Sequence, residues 1–214
     1  MKQLLQASIK VKILEIVFLF VVSPIVLFLS IPVLYKVTYV MLGVVYITLI
    51  SIFIEKFFKN KIDKKAKQSI FKNIGTRFLI ISITTTLVLY FQNKELLFNV
   101  IFSKPGLWLK FSGVYILFSV IPQEMIYRTF FVKRYKELVK NEWLFILINS
   151  ILFSFAHIWF RSFTVLAFTF VGSLLFITTY LKAKSTWLII LEHSLYGVWS
   201  VSYTHLRAHE TDSY

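Results

Sequence analysis

The sequence has no cysteine among its 214 residues, only six glycines and four prolines, and ten acidic residues against 24 basic ones. The absence of cysteine excludes disulfides, thiolate metal sites and a cysteine nucleophile, so any chemistry must use carboxylate, imidazole, amide or hydroxyl groups. Charge is scarce too: 16% of residues are charged and 57% hydrophobic, with a mean hydropathy of +0.74, where soluble domains carry roughly 25% charge and 45–50% apolar residues. That balance excludes an ordinary soluble domain and makes the long apolar runs membrane spans. The formal net charge of +14 would suggest nucleic acid in a soluble chain. Here the basic residues cluster between apolar runs, as membrane topology demands, so lipid and not nucleic acid is the expected partner.

Apolar runs lie at about 13–35, 37–54, 74–92, 107–132, 143–160, 163–181 and 186–201. Backbone groups in lipid must be satisfied within their own segment, which predicts an all-α, multi-pass bundle of about seven spans. Pro24 and Pro32 are expected to kink the first span, and Pro105-Gly106 to mark the turn before the fourth. Placing the N-terminus in the cytoplasm puts Lys2, Lys10, Lys12, the lysines from Lys56 to Lys72, Lys133, Arg134, Lys136, Lys140, Lys182 and Lys184 inside. Only Lys36, Lys94, Lys104, Lys110 and Arg161 then lie outside. The lysine-rich stretch reads as a topology determinant near anionic lipid. Residues 1–201 form one membrane domain, and a bacterial cytoplasmic membrane is the expected location. The composition breaks at Ser202, and the polar stretch 202–214 reads as a non-native read-through. His205 and His209 have the spacing of helical zinc ligands, but they lack the HExxH order and are rejected as a site.

Inside the spans a short set of polar residues remains: Gln123, Glu124, Arg128, Asn149, His157, Glu192 and His193. Each charged group at membrane depth costs roughly 2.5–3.5 kcal/mol and faces a bundle interior or wet cavity. Glu124 and Arg128, at i and i+4, share a helix face and can pair, either as a structural ion pair or as part of a site. Two histidines and one glutamate on three helices match a catalytic zinc set, His157, His193 and Glu124, which leaves one position open for water. The same trio can activate water without a metal, the carboxylate as base and a histidine stabilising the oxyanion. Depth tests the idea: Glu124 and His193 lie about 7–8 residues from the cytoplasmic edge, roughly 10–12 Å, whereas His157 lies about 14 residues in, or roughly 21 Å.

The ordered blocks Pro122-Gln123-Glu124 through Arg128, Phe153 through His157, and His193 resemble the CPBP family of intramembrane proteases, which includes the CAAX prenyl endopeptidases and bacteriocin-processing or immunity proteins (Abi-like). The family pattern is EExxxR, FxxxH and HxxxN/D. The resemblance covers residues 107 to about 200. It implies a helical membrane bundle whose glutamate and histidines activate water for peptide-bond hydrolysis, with Glu124, Arg128, His157 and His193 at the motif positions. Gln123 replaces the first motif glutamate, and Gly197 replaces the final Asn or Asp. An amide cannot accept a proton at neutral pH, so the base role passes to Glu124, with Glu192 a remote substitute, or the branch is weakened as a protease. Two functions therefore stand. One is an intramembrane endopeptidase, with a zinc ion or with a metal-free glutamate mechanism, that cuts a membrane-associated protein or peptide; the other is a non-catalytic binding or immunity protein with the same fold. A solute transporter fits less well, since no repeat and no pair of broken spans is found.

Overall fold

A computed structural model describes residues 7–53, 64–92 and 98–204. Among them every regular element is helical: α1 (Ile9–Phe28), α2 (Val33–Phe53), α3 (Lys64–Gln92), α4 (Asn99–Ser103), α5 (Pro105–Leu138), α6 (Glu142–Phe155), α7 (Phe163–Ala183) and α8 (Thr186–Thr204). Five helical stretches are long and apolar enough to cross a membrane: α1, α2, α5, α7, and α6 extended to Phe160. These stretches make the chain an integral membrane protein. The lysine stretch 56–63 and the tail from 205 lie outside the described residues. Ser202, assigned to the tail from sequence, is a buried residue of α8.

Helix ends follow local chemistry. Ser8, Asn141 and Ser162 cap α1, α6 and α7 with side-chain oxygens that accept the backbone N–H of Val11, Leu144 and Val165. Pro105 opens α5, where its missing N–H is one of the unbonded donors in any case. With so few glycines, the left-handed turns after α6 and α7 fall to Arg161 (φ 53°) and Lys184 (φ 51°).

Of the prolines, Pro32 departs from expectation. Pro32 lies in the turn before α2, because α1 ends at Phe28 and not near residue 35. Pro24 and Pro122 do sit inside helices, where each lacks an N–H and its ring presses on the carbonyl four residues back. In both cases the helix widens just upstream into a π-helical stretch, Val17–Val22 before Pro24 and Ile116–Val120 before Pro122. Within that stretch of α1 the Phe18 carbonyl accepts from the Tyr39 hydroxyl at 2.7 Å and from the Ser23 hydroxyl at 3.1 Å.

The chain forms two compact units. The first comprises α1, α2 and the stretch Met125–Thr186; the second comprises α3, α4, α5 through Glu124, and α8 from Trp187. In the first, Phe20 is fully buried, with Tyr127 and Phe131 meeting its ring edge-on at 5.1 and 5.0 Å. Nearby, Arg134 grips Glu15: Nε donates to Oε2 at 2.9 Å and Nη2 to Oε1 at 2.6 Å, while the Tyr135 hydroxyl donates to Oε2 at 3.2 Å. This corrects the sequence reading, which left Arg134 in a cytoplasmic loop. Helix α5 continues to Leu138, so Arg134 is buried at 3% exposure beside the one carboxylate that α1 brings. In the second unit, Trp199 Nε1–H donates to Thr85 Oγ1 at 2.8 Å, and Phe78 stacks on Tyr196 at a 9° interplanar angle, joining α3 to α8.

Removing one partner of a buried ion pair strands the other, at a cost of about 3–5 kcal/mol. Glu15→Ala is therefore expected to destabilise the protein by about that amount, which equilibrium unfolding in detergent will read.

Candidate active site

The second unit brings two of the sequence-predicted residues into direct contact. Glu124, at 0% exposure, lies at the end of the α-helical turn Ile121–Glu124 in α5, and His193, at 7%, lies on α8. Their side chains meet at 2.8 Å, where the His193 Nδ1–H donates to Glu124 Oε1. A carboxylate acceptor on Nδ1 fixes the tautomer and leaves the lone pair on Nε2. At Nε2 stands a residue the sequence reading did not single out: Tyr115, whose hydroxyl donates at 3.3 Å. The imidazole is thus bonded through both ring nitrogens.

Helix geometry explains how Tyr115 and Glu124 reach one ring. Nine residues at 3.6 per turn are two and a half turns, leaving them about 180° out of phase in a regular α-helix. The π stretch Ile116–Val120 lies between them and absorbs an extra residue, cutting the mismatch by roughly 100°. The remaining angle suits two groups that approach opposite edges of an imidazole.

The neighbours of this pair point elsewhere. Gln123 is half-buried and its amide donates to Ser119 Oγ at 3.0 Å, one turn back on its own helix. Glu192, fully buried, accepts from the Tyr196 hydroxyl at 3.0 Å and pairs with Arg77 Nη1 at 3.4 Å. Consecutive residues of α8 therefore serve different purposes: Glu192 ties α8 to α3, and His193 meets α5.

His157 and Arg128 belong to the first unit. His157 lies within the stretch Glu142–Phe160 that is long and apolar enough to cross a membrane, but past the end of its regular α-helix. Helix α6 ends at Phe155, and His157 lies in the turn before the 3-10 segment Ile158–Phe160, which changes the depth argument built on a continuous helix. Its Nδ1–H donates to the Phe153 carbonyl at 2.9 Å, and its ring lies nearly parallel to Phe160 at 12°. Arg128 is fully buried: Nη1 donates to Asn149 Oδ1 at 3.3 Å, and the guanidinium lies 4.4 Å from the centre of the Phe153 ring. Asn149 in turn donates to the Tyr127 carbonyl at 2.8 Å, within the π-helical stretch Met125–Phe130. Arg128 and Glu124, four apart in sequence, are thus described with separate units.

Glu124 and His193, two members of the expected zinc set, are bonded to each other, and among the described residues no group of three or more His, Cys, Asp or Glu side chains that could hold a metal ion is found.

Residues 105–199 match the family model described as type II CAAX prenyl endopeptidase Rce1-like. Over that segment the chain is similar to the Rce1-like family. The segment begins at the first residue of α5, and all of Tyr115, Gln123, Glu124, Arg128, His157, Glu192, His193 and Gly197 lie within it. No curated protein and no solved structure matches the chain. That similarity suggests intramembrane protease activity, and the matched segment carries the Glu124–His193 carboxylate–imidazole hydrogen bond.

Sequence signals for the missed residues were faint. Glu15 stood in plain view as an acidic residue inside the first apolar run, and Tyr115 looked like one aromatic among many. Asn149 is the amide that serves both Arg128 and a helix carbonyl in the first unit. Asn149→Leu is expected to cost about 1–3 kcal/mol, since it leaves buried partners without their bonds; a lowered unfolding midpoint in detergent will report it.

Proposed function

We propose that the protein is an intramembrane endopeptidase that hydrolyses a peptide bond in a membrane-associated protein or peptide, with water activated by Glu124 and His193 and without a metal. The observation that carries this reading is the buried 2.8 Å bond between Glu124 Oε1 and His193 Nδ1–H. A carboxylate on Nδ1 orients an imidazole, holds its tautomer and stabilises the imidazolium that forms when Nε2 takes a proton. Burial strengthens that interaction, because the surrounding dielectric is low.

In the proposed reaction a water bonded to His193 Nε2 attacks the scissile carbonyl carbon while Nε2 takes its proton. The carbonyl π pair moves to oxygen. Collapse of the tetrahedral species breaks the C–N bond, and the Nε2 proton passes to the leaving amine. Glu124 supplies the buried negative charge beside that imidazole, a role the neutral amide of Gln123 cannot fill. His157 enters the proposal through the motif order, with Nδ1–H held by the Phe153 carbonyl so that Nε2 is its basic atom. Arg128 enters it through the motif arginine position.

Gln123 favours a second reading, a non-catalytic binding or immunity protein, because the residue at the first motif glutamate is an amide engaged with Ser119 on its own helix. The two readings separate in vesicles containing the purified protein, offered a prenylated CAAX-terminal peptide and unmodified membrane-bound peptides. Wild-type protein is expected to cleave at least one of them, with or without a chelator. Glu124→Ala, His193→Ala and His157→Ala are each expected to lower kcat/KM by about 10²–10⁴-fold. Undiminished cleavage in all three variants would sink the assignment. Peptide capture without cleavage, surviving all three changes, would favour the binding reading, and loss of activity to the chelator would overturn the metal-free chemistry.

A further inference from the structure

Helix α8 has a gap at Gly197, one turn beyond His193, so both residues lie on the same helix face. The Tyr115 phenol fills that gap. A Cβ built on Gly197 would lie 2.6 Å and 2.7 Å from two carbons of the Tyr115 ring and would collide with the hydroxyl itself. Real Cβ atoms essentially never approach so closely, so any side chain at 197 displaces the ring or the helix. The other five glycines have no Cβ contact closer than 3.4 Å. The glycine is therefore the condition for the tyrosine, whose hydroxyl rests on His193 Nε2 at 3.3 Å.

From this geometry we infer that Tyr115 is a catalytic residue, the hydrogen-bond donor to the carbonyl oxygen as negative charge develops on it, held in place by the absence of a side chain at Gly197. The inference rests on the hydrolytic reading above. In the resting site Nε2 accepts the phenol O–H. When the attacking water occupies Nε2, the phenol O–H turns to the neighbouring atom of the reacting group, the carbonyl oxygen. Water donates its proton to Nε2, its oxygen bonds to the carbonyl carbon, and the π pair on oxygen becomes an oxyanion bonded to the Tyr115 O–H. No proton leaves the tyrosine. Such a donor stabilises charge that exists only in the transition state, so it acts on kcat and little on substrate binding.

The phenol is also well placed by its surroundings. Tyr115 lies on the last turn of the α-helical stretch Pro105–Tyr115, immediately before the π-helical residues Ile116–Val120. Farther along the same pair of helices, Trp108 Nε1–H donates to Ser202 Oγ at 2.9 Å and pins α5 to α8. The hydroxyl is thus aimed by a packed ring, a glycine notch and a helix-to-helix hydrogen bond, which is the preorganisation an oxyanion donor needs.

The test compares Tyr115→Phe, Gly197→Ala and the double variant in vesicles, using whichever peptide the wild type cleaves. Tyr115→Phe keeps the ring in the notch and removes only the hydroxyl; kcat is expected to fall by roughly 10²–10³-fold with KM nearly unchanged. Gly197→Ala pushes the phenol off His193 and is expected to lower kcat comparably. The double variant should be no worse than the poorer single one, because both changes remove the same donor. Tyr115→Phe with full kcat while Gly197→Ala loses activity would overturn the inference, since the notch would then serve packing alone. Fully additive losses would overturn it as well. In either case Glu124→Ala and His193→Ala would still abolish cleavage, leaving the hydrolytic reading intact. A wild type that cleaves no peptide would bring down both.

Discussion

The hydrogen bond between Glu124 and His193 joins segments 69 residues apart in the chain, and the chemistry of the second unit is organised around it. A fully buried carboxylate is costly unless a donor meets it, and a buried imidazole needs a defined tautomer. Each group resolves the other's problem. The consequence extends to Nε2, which becomes the basic atom and is met by the Tyr115 hydroxyl.

The same constraint recurs at the other two buried carboxylates among the described residues, with different outcomes. Glu15 accepts from both Arg134 and Tyr135, a saturated arrangement that binds α1 to the end of α5. Glu192 accepts from Tyr196 and Arg77 and ties α8 to α3. Those two carboxylates face guanidinium groups, which stay protonated under all ordinary conditions and so cannot exchange protons usefully. Glu124 faces an imidazole, whose second ring nitrogen carries a lone pair that can accept a proton. Partner chemistry, more than burial, distinguishes the proposed reactive carboxylate from the structural ones.

Proline shapes the helices that carry these groups. Pro24 and Pro122 each follow a π-helical stretch, and the stretch before Pro122 lies between Tyr115 and Glu124. The extra residue absorbed there turns two side chains that an ordinary α-helix would set on opposite faces toward one imidazole on α8. Gly197 completes the arrangement by leaving room for the phenol. Proline and glycine, both rare in this chain, thus act at the points where the second unit's polar cluster is assembled.

Composition and hydropathy by themselves determined that the chain is helical and built for a membrane, because lipid leaves a backbone few ways to satisfy its hydrogen bonds. Motif spacing marked residues 107 to about 200 as carrying protease-family blocks and singled out Glu124 and His193, since polar groups within apolar runs need a reason to be there. Tertiary structure decided the rest. It showed that Arg134 is a buried partner of Glu15, because helix ends depend on which charges find partners and not on where apolar residues stop. It placed His157 in a turn beyond α6, a boundary that periodicity alone does not mark. It also brought Tyr115 to His193 across 78 residues, through a π-helical turn and a missing side chain, neither of which leaves a pattern in a linear reading of the sequence.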